Sequence, residues 1–122
     1  MGYKKAKLDY DEKYDSLFVF CEDEYEYKTS LELDSNIILD FSVDGVPVAF
    51  EFLNASNLFN VNKDDFSKIK SLNIKSKITK KEINITVKIL ISKLNKAIDT
   101  GVNRVISNNL NVPEYDSEIA LA

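Results

Sequence analysis

The chain has no histidine and no tryptophan, one cysteine, three glycines and two prolines among its 122 residues. Each shortage removes a chemistry. Without histidine there is no usual general base, no usual zinc ligand and no Ser-His or Cys-His nucleophile pair. Cys21 cannot form an internal disulfide, and its place in LFVFC (17–21) reads as a small buried hydrophobe rather than a reactive thiol. The glycines stand apart, so no phosphate-cradling loop is present, and no G-x-S-x-G occurs. No apolar run approaches the roughly 18 residues of a membrane-spanning helix. No secretory signal opens the chain, so the expectation is a cytoplasmic protein with no membrane partner. Without a secretory route, the glycosylation sequons Asn54-Ala55-Ser56 and Asn84-Ile85-Thr86 carry no weight.

What is present favours a β-rich core. Apolar residues make up 44%, seven phenylalanines and six tyrosines among them, and few residues break the backbone. The net charge of −4 hides two unlike halves. Residues 1–62 hold 5 Lys against 13 Asp and Glu; residues 63–122 hold 11 Lys and Arg against 7.

Apolar and polar residues alternate along most of the chain, with the period of a strand. Residues 5–10 and SLFVFC (16–21) flank a turn at DEKYD. Pairing Tyr10 with Leu17, Leu8 with Val19 and Ala6 with Cys21 gives one apolar face. Phe18 and Phe20 then point to the opposite face, beside Asp9 and Lys7. A strand apolar on both sides is covered twice or meets a partner, which makes Phe18 and Phe20 the candidate interface residues. Residues 27–33 form a further strand. NIILDF (36–41) and VPVAFEFL (46–53) flank an Asp44-Gly45 turn, and pairing Phe41 with Val46 gathers Ile37, Leu39, Phe41, Val46, Val48, Phe50 and Phe52 on one face. Pro47 points to an edge or a bulge. Asn62 reads as the N-cap of a short helix over 63–70, with Asp64 and Asp65 in its first turn. Residues 72–78 and 83–91 form a hairpin about TKKE, 97–106 a third strand beside it, and the tail from Asn108 reads as irregular.

Three charged motifs invite functional readings. Asp40-x-Ser42-x-Asp44-Gly45 followed by Glu51 has the spacing of a calcium-binding EF-hand loop, which requires flanking helices where this chain has strands. The predicted register also sets Asp40 and Glu51 about 13 Å apart. The acidic segment 9–26 contains no carboxylate pair with diagnostic spacing and reads as a solvated sheet end. The ten lysines in 63–96 have only Phe66 among them for base stacking, so no nucleic acid partner is expected. No catalytic residue, metal ligand or cofactor is predicted.

YDEKYDSLFV (10–19) resembles the Tyr-Asp-x-x-x-Asp-[Ala/Ser]-Leu opening of the domain of unknown function 2283 family. NIILDFSVDGVPVAFEFLNAS (36–56) resembles that family's Asp-x-Asp-x-Asp-Gly-x-x-x-Gly-x-Glu-[Ile/Leu]-Leu-x-Ala pattern, with Asp40, Asp44, Gly45, Glu51, Leu53 and Ala55 matching. Ser42, Ala49 and Pro47 depart from it. The resemblance covers residues 3–58 and implies a small β-meander and no activity. It also implies, from some shorter members, a small acidic partner of putative toxins.

The expected architecture is α+β, mainly β. A single domain would contain an antiparallel meander over 3–58, then a short helix and a second antiparallel hairpin or three-stranded sheet over 59–122. The two sheets would pack face to face or continue across a subunit boundary. The leading functional expectation is a non-enzymatic interaction module forming a homodimer or other homo-oligomer. The alternatives are an acidic, antitoxin-like or regulatory partner of another protein, and a small-ligand binder or enzyme using Tyr, Lys and carboxylates.

Overall fold

Strand β1 (Tyr3–Asp11) pairs with β2 (Ser16–Cys21) in the register that alternation predicts: Ala6 with Cys21, Leu8 with Val19, Tyr10 with Leu17. In the computed structural model, which describes residues 3–121, the remaining elements are β3 (Tyr27–Asp34), β4 (Ile37–Ser42), β5 (Pro47–Phe52), the one-turn helix α1 (Ala55–Leu58), a 3-10 helix (Lys63–Lys68), β6 (Ile69–Ile78), β7 (Glu82–Lys93), β8 (Lys96–Ser107) and β9 (Tyr115–Leu121). All described strands join one sheet in the order β3-β4-β5-β2-β1-β9-β6-β7-β8.

The mainly β expectation holds, but three of its details do not. First, the 3–58 segment is no simple meander: β2 pairs with β5, and β3 lies at the sheet edge. The apolar run of β5, with Val48, Ala49, Phe50 and Phe52 all buried, suits an interior position, whereas residues 27–30 of β3 are exposed. Second, the tail is not irregular. β9 lies between β1 and β6, parallel to β1 and antiparallel to β6, so the sheet is mixed. Third, among the described residues there is no separate second sheet, because β9 splices the two halves into one. Asn108 steers the chain into β9. Its side-chain amide donates to the Thr79 and Val112 carbonyls at 2.8 and 2.9 Å, and its Oδ1 accepts from the Val112 N–H at 2.9 Å.

The β4–β5 hairpin keeps its predicted faces but not its predicted partners. Phe41 pairs with Pro47 instead of Val46; beyond a bulge at Val48, Asp40 pairs with Ala49 and Ile37 with Phe52. In the body of the hairpin this is a slip of two residues from the expected register. Two is the side-chain period of a strand, so the apolar face survives. The bulge absorbs the extra residue beside a proline that cannot donate to the ladder. The helix predicted over 63–70 is a 3-10 helix ending at Lys68, because Ile69 already begins β6. Asn62 is its N-cap, and its backbone N–H donates to the Asp65 carboxylate at 2.9 Å.

The sheet curls around one core built from the inward residues of both halves, among them Leu17, Phe50, Phe52, Ile74, Ile85 and Ile89. Phe59 and Phe66, from the segment between β5 and β6, cap it: Phe59 meets Phe52 edge-on at 5.4 Å and Phe66 at 6.3 Å. Curling brings the edge strands β3 and β8 together at one ion pair, Arg104 Nε to Asp34 Oδ2 at 2.6 Å.

Gly101 permits a close approach of β8 to the β7 backbone. It pairs with Lys88, and a Cβ there would stand 2.3 Å from the Val87 carbonyl oxygen. Backbone cannot yield as a side chain can, so Gly101→Ala is expected to cost about 2 kcal/mol through strand displacement. A urea denaturation midpoint equal to wild type would refute this.

Candidate interaction face

The two faces of β2 carry different environments. Leu17, Val19 and Cys21 point inward and are buried; Phe18 and Phe20 point outward and are half-buried. Their rings stack on each other, 5.1 Å apart with 26° between planes. Cross-strand pairing sets Asp9 and Glu51 on either side of Phe18, and Lys7 and Ala49 on either side of Phe20. The two candidate residues are therefore placed together, on the outer side of one central strand, β2. Glu51 is held by the Ser16 hydroxyl, which donates to it at 3.1 Å.

Strands β4 and β5 flank the calcium-like loop, as expected, so the helices of an EF-hand are not there; what changes is the distance. The true register brings Asp40 and Glu51 to within two residues along the strands, about 7 Å instead of 13 Å. They are nonetheless engaged separately: Ser30 donates to Asp40 at 2.6 Å, and Ser16 to Glu51. Among the described residues no three His, Cys, Asp or Glu side chains converge as a metal site. The Cys21 thiol is buried, and that burial pushes its pKa up, as for an inert core cysteine. Among the described residues no helix is long and apolar enough to cross a membrane.

A polar cluster that residue spacing alone did not reveal lies beneath this face. Asp15 has a left-handed backbone (φ 53) and a buried carboxylate. That carboxylate accepts from the Tyr10 hydroxyl at 2.6 Å, the Ser56 hydroxyl at 2.7 Å and the Ser56 N–H at 3.0 Å. Its own backbone carbonyl accepts from the Ala55 N–H at 2.9 Å. The β1–β2 turn is thereby clamped to the start of α1. Burial alone would raise the carboxyl pKa, but the bonds from Ser56 and Tyr10 together hold it below its ordinary value. Burial, and then the bond to Asp15, push the Tyr10 phenol up. The signal for this cluster lay in the two sequence blocks, one containing Tyr10 and Asp15 and the other ending at Ala55-Ser56. A second clamp ties the 3-10 helix to β7, with Lys93 Nζ 3.3 Å from the buried Asp65 carboxylate.

Over residues 7–56 the sequence matches the family described as "Protein of unknown function (DUF2283)". It is 36% identical over 108 residues to a Methanosarcina mazei protein named "Putative hypoxanthine phosphoribosyltransferase", a match spanning 88% of this chain and 86% of that one. It is 41% identical over 95 residues to an uncharacterized protein of Methanocaldococcus jannaschii, spanning 77% and 80% of the two chains. No solved structure matches.

Proposed function

We propose that this chain, which belongs to the DUF2283 family of proteins of unknown function, is a non-enzymatic interaction module that associates with a second copy of itself through the face centred on Phe18 and Phe20. The stacked phenylalanines carry the reading. They lie on the outer side of the central strand β2, where a sheet that needed no partner would present polar residues.

The phosphoribosyl transfer named for the Methanosarcina relative is not carried over. Enzymes that hold phosphate groups use glycine-rich loops and helix N-termini. Here Gly2, Gly45 and Gly101 stand alone in sequence, and the described helices have four and six residues. The polar clusters at Asp15 and Asp65 are consumed in bonds between elements of the fold.

The wild-type chain is expected to run as a homo-oligomer in native mass spectrometry and sedimentation equilibrium. Phe18→Ser with Phe20→Ser is expected to run as a folded monomer, since both side chains point away from the core. A wild-type monomer at high micromolar concentration in low salt defeats self-association. A co-purifying basic protein in place of a second copy would favour the acidic-partner reading.

A further inference from the structure

We propose that the partner copy docks by a two-fold axis running across the strands, between the rows of Phe18 and Phe20, and that a self-complementary charge stripe on β1 selects this orientation. The proposal rests on the self-association above and adds its geometry.

The outward residues of β1 are Lys5, Lys7, Asp9 and Asp11, two cations followed by two anions, and all four are exposed. Among the described residues none of them forms an ion pair. The ladder fixes their neighbours, so the face has a row Lys7–Phe20–Ala49 and a row Asp9–Phe18–Glu51. These rows lie about 7 Å apart along the strands.

Sheets that pack face to face keep their strands roughly aligned, which leaves two kinds of two-fold contact. An axis along the strands, centred on β2, sets β1 of one copy over β5 of the other. Asp9 then lies over Glu51 of the second copy, acid against acid. An axis across the strands reverses the strand direction instead. Phe18 then covers Phe20 of the second copy, Lys7 meets Asp9, and Lys5 meets Asp11, each contact occurring twice. Two cations followed by two anions are their own complement when reversed. Only the second arrangement joins opposite charges around the apolar centre. Ala49, a small residue, lies where Glu51 of the second copy arrives. The rings supply the buried area, and the ion pairs, at the rim, set orientation more than affinity.

The test uses Lys7→Asp, Asp9→Lys and the double variant K7D/D9K. Neither side chain makes a hydrogen bond or ion pair within the chain among the described residues, so folding is expected to be unchanged, with circular dichroism as the check. Each single substitution should weaken the dimer about tenfold or more by sedimentation equilibrium in low salt, because like charges then face each other. The double substitution should restore the dimer. An equimolar mixture of the two single variants should give the mixed dimer in native mass spectrometry. A wild-type monomer overturns both the self-association reading and this geometry. A wild-type dimer that is lost in F18S/F20S but indifferent to the single charge reversals, or not restored by the double one, overturns the geometry alone.

Discussion

A chain ending at Asn108 is expected to lose cooperative folding. Among the described residues β9 is the only strand linking the two halves of the sheet, pairing with β1 on one side and β6 on the other. Its removal opens two interior edges and leaves their backbone donors and acceptors unpaired. It also removes Ile119, 1% exposed, from the shared core. Burial of one isoleucine stabilises by about 1.5–3 kcal/mol. The lost ladders come on top of this in a chain whose whole stability is about 5–15 kcal/mol. The shortened chain should bind a hydrophobic dye and show no sharp thermal transition. A cooperative melt near the full-length midpoint would mean that β1 and β6 find each other without the splice.

Asp15→Ala is expected to be strongly destabilising, by about 2–4 kcal/mol. It strands the Tyr10 hydroxyl and the Ser56 N–H and hydroxyl, and it places alanine at a positive φ. Asp15→Asn separates charge from backbone, since asparagine tolerates the left-handed region and retains an acceptor oxygen. The same cluster predicts the pH profile. Asp15 has a lower pKa folded than unfolded, so its contribution is complete above its ordinary value of 3.8 and is lost as pH falls through the folded value. Tyr10 has a raised pKa, so its contribution is complete below its ordinary value of 10.0 and declines as pH rises beyond it. Denaturation midpoints measured across pH should therefore fall at both ends. Asp15→Asn should flatten part of the acid limb, with Asp34 and Asp65, whose pKa values are also lowered, supplying the rest. An acid limb unchanged in Asp15→Asn would remove Asp15 from the account.

The legible parts of the fold share one property. The β1–β2 register, the outward Phe18 and Phe20, and the inward Ile83, Ile85, Val87, Ile89 and Ile91 of β7 were all readable, because each depends on alternation within one or two adjacent strands. The β4–β5 faces were readable and their partners were not, since a bulge changes pairing without changing which side is apolar. Arg104 with Asp34 and Lys93 with Asp65 bring together residues 70 and 28 positions apart, and no local pattern marks them. Tyr10 and Asp15 were visible as residues of a resembling block, but their shared partner Ser56 belongs to another block, 41 residues beyond Asp15.

By itself the sequence determined that the chain is β-rich, which side of most strands is apolar, the turn at Asp44-Gly45, the helix start at Asn62 and the aromatic pair on the outer face of β2. These follow from side-chain period, turn chemistry and capping, all local interactions. Only the tertiary structure decided which strands are neighbours: β5 beside β2, β3 at the edge, and the seven residues of β9 between β1 and β6. The ladder is built from backbone groups that every residue except proline carries alike, so strand order is set by how the whole set of apolar faces closes around one core. The β1–β2 pairing, local and legible, lays Lys5, Lys7, Asp9 and Asp11 beside the phenylalanines; the closure of the sheet leaves that face outward, where the proposed contact between copies would form.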